Sequence, residues 1–266
     1  MLKLLALDFD GVISDSAPES FVVALRTWAE MRPDSQQRHA ASLLSGPVAP
    51  DPAEIPRDPL YRDFIAMMPL GNRAEDYGVE LAALEDGRVL ADQGAYDAFK
   101  AGVDPVWLRA FHKRFYRVRT AMSEADRSAW NRLMRAYPGI PQLLRRRAGD
   151  LLLAIATSKD RGSVAKLLAS YGIGDLYPPG SILDKEAGAN KHAHFERLHG
   201  ETGLSYREML FIDDKVNHLD SVAALGVRCG LAGWGYNGER ERRLARDAGH
   251  TIFELGDLEQ QIFAGV

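Results

Sequence analysis

Leu4-Leu5-Ala6-Leu7-Asp8-Phe9-Asp10-Gly11-Val12 lies at the start of this chain of 266 residues, and its reading decides the fold. Residues 2–7 form a short, nearly continuous apolar run. A run of that length without polar alternation suits a strand buried on both faces, as in a parallel sheet. It stops abruptly at Asp8, and Gly11 lets the chain turn away. Similar runs recur at residues 151–156, 209–212 and 227–232. Helical patterns lie between the later runs. Val164, Leu167, Leu168 and Tyr171 share one helical face, with Gly172 as the stop. Residues 192–199 and 217–225 also read as helices, the second closed by Gly226. Strand and helix in alternation predict a doubly wound α/β domain.

Residues 16–137 lack such runs and read as a mostly helical insert. Residues 19–31 are amphipathic, with Phe21, Ala24, Leu25 and Trp28 on one face. Ser123 reads as an N-cap, with Glu124 and Asp126 in the first turn and Trp130, Leu133, Met134 and Tyr137 continuing one helical stripe. Pro47, Pro50, Pro52, Pro56 and Pro59 mark a long loop without regular structure. The expected domains are therefore 1–15 with 138–266, and 16–137.

Composition narrows the class. The chain is 46% hydrophobic and 26% charged, enough for a sizeable core and unlike a disordered protein. The net charge of −4 gives no general basic excess for nucleic acid or an anionic membrane. The single cysteine, Cys229, excludes an internal disulfide or a multi-cysteine metal cluster. No apolar run reaches the length of a membrane span or a signal peptide, so a cytoplasmic protein is expected.

Four strand or helix ends carry candidate chemistry. Asp8 and Asp10 follow the first strand, where open α/β sheets place their ligands. Two carboxylates so close repel unless a cation or proton lies between them; alone, they also suit a plain capping turn. Thr157 and Ser158 end the second run and suit a phosphate oxygen; read alone, Thr157 is more often an ordinary helix N-cap. Lys191 enters a helix, where a solvated role is the ordinary one. Asp213 and Asp214 end the run at 209–212, and crowded acids there suit magnesium, which takes hard oxygen ligands.

In this order and context the motifs resemble the haloacid dehalogenase superfamily of phosphotransferases and phosphatases. The resemblance rests on Asp8-Phe9-Asp10-Gly11-Val12, Thr157, Lys191 and Asp213-Asp214, and covers about residues 1–15 and 138–266. Tyr137-Pro138-Gly139-Ile140, Gly226-Val227 and Trp234-Gly235-Tyr236 look like family landmarks. It implies a Rossmann-like parallel-sheet core with an inserted, mostly α-helical C1-type cap. It further implies Asp8 as nucleophile, Asp10 as general acid and base, and Gly11, Thr157, Ser158 and Lys191 around the transferring phosphoryl group. Mg2+ would bind Asp8, the Asp10 carbonyl and Asp214, with Asp213 direct or one shell out. Two features depart from the commonest pattern: Asp213 stands where a glycine is frequent, and His218 where a later acid is. Lys185 competes with Lys191 for the lysine motif.

Asp10 favours phosphoryl transfer over the dehalogenase branch, since a halide needs no acid. The insert's two lysines, Lys100 and Lys113, have no context that marks a Schiff base, which argues against phosphonate cleavage. The resemblance thus points to a small phosphorylated metabolite as substrate, hydrolysed with magnesium. A sugar-phosphate mutase and a non-catalytic phospho-ligand sensor stay open. In the insert, Arg109, Lys113, Arg114, Arg117 and Arg119 interleave with Phe111, Phe115 and Tyr116. They form either an anion patch or a solvated helix face. Residues 69–73 end in Arg73, which either meets substrate or lies in a plain loop. His192, His194 and His199 read as ordinary helix residues, and Trp28, Trp107 and Trp130 as core of the insert.

Overall fold

Six parallel strands make the main sheet in the order β5-β4-β1-β6-β7-β8. They are β1 (Leu4–Leu7), β4 (Leu152–Ala156), β5 (Ile182–Leu183), β6 (Met209–Asp213), β7 (Arg228–Ala232) and β8 (Thr251–Phe253). The computed structural model describes residues 1–35, 41–71 and 73–263. β1 is buried along its whole length, which is why its residues need no alternation. Its register sets Leu7 level with Ile155 on one side and Ile212 on the other. The Asp8 N–H continues the ladder to the Ile212 carbonyl at 2.9 Å. The chain builds outward from β1 through β4 to β5, then crosses back to β6 on the other side. Sheets of this kind open a crevice beyond the strand ends at that reversal. Asp8, Thr157 and Asp213 all stand there.

One face of the sheet packs Leu4, Ala6, Phe211 and Leu231 against Phe195, Leu198, Leu219 and Val222. Phe195 and Phe211 meet edge to face at 5.0 Å. Phe195 lies one turn along the helix Lys191–Thr202, so this packing also fixes the lysine that opens the helix.

The chain divides into two compact units, Met1–Asp15 with Arg135–Val266, and Ser16–Met134. The first unit carries both ends of the connection as a short antiparallel ribbon, β2 (Ser14–Asp15) against β3 (Arg135–Ala136). Strands of two residues leave no periodic signal, so the sequence reading missed them.

The second unit is helical. Its core is aromatic: Phe21 meets Phe64 at 5.1 Å, Phe64 meets Tyr77 at 5.5 Å, and Tyr77 meets Phe115 at 5.6 Å. Trp28 and Trp130 are buried, and Trp107 packs edge-on against Trp28 at 5.6 Å. Buried Arg26 donates to the carbonyls of Leu43, Gly46, Ser45 and Val48 and gathers that segment onto its helix.

Three local readings need correction. Ser123 is no N-cap: the helix Pro105–Ala125 runs through it, and its hydroxyl donates back to Thr120. Asp126 caps the next helix, Arg127–Arg132, which stops well short of Tyr137 because β3 pairing begins at Arg135. The proline-rich stretch contains one turn of 3-10 helix, Ile55–Arg57, with Pro56 inside its first turn, where no N–H is needed.

Candidate active site

Asp8 ends β1 with only 8% of its surface exposed, and its Oδ1 lies 2.7 Å from the Lys191 Nζ. Lys191 is 4% exposed, starts its helix behind the Asn190 cap, and also meets Asp213 at 3.3 Å and the Ala156 carbonyl. Burial alone would push this ammonium toward the neutral form. Asp8 and Asp213 outweigh burial and raise its pKa, so it stays charged. Lys185 is exposed. Of the two lysines, it is Lys191 that the fold brings to Asp8.

The three carboxylates respond differently to one setting. Burial pushes Asp8 above the usual carboxylate range, and Lys191 offsets this only in part. Burial would raise Asp213 too, but Lys191, His218 and the Lys215 N–H hold it well below that range. His218 Nδ1 lies 3.0 Å from Asp213 Oδ2, and the Lys215 N–H donates to Oδ1 at 2.9 Å. His218, at the position where the resemblance expects a later acid, thus bonds the first acid of the pair. Asp214 is driven well above the usual range by burial and then by Asp213, against weaker help from Lys215 and the Tyr236 N–H.

Three buried carboxylates therefore face one buried ammonium. Such a donor set is short of positive charge, and a hard divalent cation fits it chemically. Asp8, Asp213 and His218 place ligand atoms within 4.8 Å of one another, the group among the described residues that could hold a metal.

Tight backbone approaches build the back wall. Gly11 has φ +82°, and a Cβ there would fall on the Asp214 carboxylate. The Tyr236 N–H donates to Asp214 Oδ2 at 3.0 Å and its hydroxyl to Asp15 at 3.2 Å. The Trp234 indole N–H donates to the Val12 carbonyl at 3.1 Å. Sequence reasoning noted residues 234–236 only as a landmark; their hydrogen bonds give the landmark a structural purpose.

Thr157 ends β4, buried, and its Oγ1 accepts from the Lys159 N–H at 3.1 Å. Its own hydroxyl proton is thereby left to donate elsewhere. Ser158 is exposed beside it. Asp160, not Thr157, caps the following helix Arg161–Ser170. Asp10 is half-buried and faces Lys159 Nζ at 3.0 and 3.3 Å. Sequence reasoning passed over Lys159, whose only signal was its place two residues after Thr157.

Other sequence candidates lie in ordinary settings. His192, His194 and His199 each meet a backbone carbonyl, of Ser221, Asp184 and Leu204. On Pro105–Ala125, Phe111 and Phe115 are buried while Tyr116 is exposed. Arg114 pairs with Glu30 and Arg119 with Glu19. Two of the five cations in the basic stretch thus have acidic partners within the helical unit. Arg73 is exposed at the start of the helix Ala74–Glu85; Asn72, in the same turn, lies outside the described residues.

A haloacid dehalogenase-like hydrolase model matches residues 2–226, and the chain belongs to that family. Human magnesium-dependent phosphatase 1 is 32% identical over 98 residues, covering 36% of this chain and 53% of that protein. The phosphoglycolate phosphatase of Yersinia pseudotuberculosis is 34% identical over 93 residues, covering 34% of this chain and 39% of that protein. The chain thus spans about half or less of the length of these curated relatives. Among solved structures, a haloacid dehalogenase-like hydrolase from Streptococcus pneumoniae superposes with a TM-score of 0.66 at 12% identity. That match covers 99% of this chain and 98% of the other. A haloacid dehalogenase-like protein from Agrobacterium tumefaciens gives 0.60 at 14% identity, covering 100% and 99%. Both are likenesses of fold.

Proposed function

We propose that this chain is a phosphatase that hydrolyses small phosphomonoesters in two phosphoryl transfers through Asp8. One observation carries the reading: a buried carboxylate at the central strand's end, held 2.7 Å from a buried lysine, with a second acid two residues on. The alignments with proteins named as phosphatases support it.

In the first transfer an Asp8 oxygen bonds to phosphorus as the ester P–O bond breaks, and Asp10 gives its proton to the leaving oxygen. In the second, a water oxygen bonds to phosphorus and its proton passes to Asp10. The bond from phosphorus to Asp8 breaks, leaving inorganic phosphate. Lys191 on Oδ1 orients the Asp8 carboxylate and offsets charge on the transferring group. Thr157 donates its hydroxyl to a phosphoryl oxygen, with the Ser158 N–H and the Gly11 turn beside it. Magnesium would be held by Asp8, the Asp10 carbonyl and Asp214, with Asp213 bonded to it or one shell out. It would neutralise phosphoryl charge. The unit Ser16–Met134 is read as the cap that selects the leaving group.

The test is phosphate release from a panel of small phosphomonoesters with magnesium and with EDTA, using Asp8→Asn as control. Release that needs magnesium and vanishes in Asp8→Asn is expected. Full activity in Asp8→Asn would remove Asp8 as nucleophile, and isomerised sugar phosphate without free phosphate would indicate a mutase.

A further inference from the structure

We propose that Lys159 is a positioning residue for Asp10, holding in place the carboxyl that carries the proton in both transfers. The inference rests on the phosphatase reading above and adds to it a residue that reading does not use.

Asp10 lies on the turn after β1, directly before Gly11 at φ +82°, and its side chain is 31% exposed. A carboxyl on such a turn has several staggered rotamers open to it. A general acid must come within hydrogen-bond reach of one particular oxygen, and a misplacement of about 1 Å can lower the rate about 100-fold. Lys159 supplies one such constraint from just beyond the end of the neighbouring strand. Its side chain is only 9% exposed, and its ammonium spans both Asp10 oxygens at 3.0 and 3.3 Å. Lysines are seldom this buried unless paired.

Lys159 is itself fixed at both ends. Its N–H donates to the Thr157 hydroxyl oxygen at 3.1 Å, and its ammonium lies 5.8 Å from the centre of the Phe9 ring. Phe9 sits between Asp8 and Asp10, so Lys159 joins the β4 end, which carries Thr157, to the β1 end, which carries both acids. Lys159 takes no part in the proton transfers; its task is geometric.

The experiment compares kcat/KM for ethyl phosphate and p-nitrophenyl phosphate, with magnesium, in wild type, Lys159→Met, Lys159→Gln, Lys159→Arg, Asp10→Asn and the double variant Lys159→Met/Asp10→Asn. This ratio reports the first transfer. Nitrophenolate departs without a proton, whereas ethoxide needs one. If Lys159 acts through Asp10, Lys159→Met lowers kcat/KM for ethyl phosphate about 10- to 100-fold, within the range of general acid catalysis. The loss on p-nitrophenyl phosphate is then at least about tenfold smaller. Lys159→Met costs nothing further in the Asp10→Asn background, because the two act as a unit. Lys159→Arg restores most of the rate. Lys159→Gln, similar in length and uncharged, shows the same split if Lys159→Met fails to fold.

Equal losses on both esters with a raised KM would mean that Lys159 binds substrate directly and would overturn the proposal. So would additive losses in the double variant, or no loss at all. If wild type hydrolyses neither ester, or Asp8→Asn matches it, the phosphatase reading falls and takes this proposal with it. An active wild type and an inactive Asp8→Asn without the leaving-group split sinks Lys159 alone.

Discussion

Asp213 and Asp214 are adjacent in sequence and opposite in energetics, so replacing each with asparagine is expected to move stability in opposite directions. Asparagine keeps the shape and removes the charge. Asp213 is fully buried and engages Lys191 at 3.3 Å, His218 at 3.0 Å and the Lys215 N–H at 2.9 Å. Breaking a buried pair by removing one partner costs about 3–5 kcal/mol. Lys191 keeps Asp8, so we expect a loss near the lower end, about 3 kcal/mol at pH 7. Asp214 is also buried, but its charge is opposed by burial and by Asp213. An amide oxygen accepts equally well from the Tyr236 N–H that bonds Asp214. Asp214→Asn should therefore stabilise the metal-free protein by about 1–2 kcal/mol at pH 7, the smaller end of what relieving a buried charge returns.

The pH dependence has opposite signs. Asp213 has a depressed folded pKa, so its contribution is present above the unfolded value of about 3.9 and is lost as pH falls through the folded value. Asp214 has a raised folded pKa, so its penalty is absent below about pH 3.9 and grows as pH rises to the folded value. The advantage of Asp214→Asn should accordingly vanish in acid. Hydrogen exchange of β1 and β6 amides in EDTA is the suitable assay, because it reports on the core unit even if the two units open separately. Magnesium should then stabilise wild type and leave Asp214→Asn nearly unchanged. An Asp214→Asn protein less stable than wild type in EDTA at pH 7, or an undiminished Asp213→Asn, would refute this account of the charges.

Two further changes probe the surroundings. Gly11→Ala forces a side chain into a left-handed backbone and onto the Asp214 carboxylate. It should lower thermal stability by about 1–3 kcal/mol and weaken magnesium binding measured by calorimetry. Arg26→Met removes donors from four carbonyls. It should cost the helical unit about 3 kcal/mol and open residues 43–59 to limited proteolysis, with β1 and β6 exchange unaffected.

The legible part of the fold was the part with long-enough signals. The runs at 2–7, 151–156, 209–212 and 227–232 became β1, β4, β6 and β7 because strands covered on both faces must be apolar throughout. β5 has two residues and β8 three, too few for a pattern. The helix boundary at Ser123 misled because a serine followed by acids is a good cap in isolation. The continuous stripe from Phe111 through Phe115, Val118 and Met122 outweighed it and carried the helix on to Ala125.

By itself, the sequence determined which residue types stand at the strand ends: Asp8 and Asp10, Thr157, Lys191, and the Asp213–Asp214 pair. A strand's apolar run and its polar stop are local facts, written in consecutive residues. Only the tertiary structure decided how those groups divide the charge among themselves. Lys191 lies 183 residues from Asp8 and Lys159 lies 149 from Asp10, and no local pattern states which lysine meets which acid. The sheet order decides it by setting β4 and β6 on either side of β1, and burial then makes each pairing strong. One ammonium shared by Asp8 and Asp213 leaves Asp214 only the weaker help of Lys215, and a donor set so short of positive charge is chemically suited to a cation.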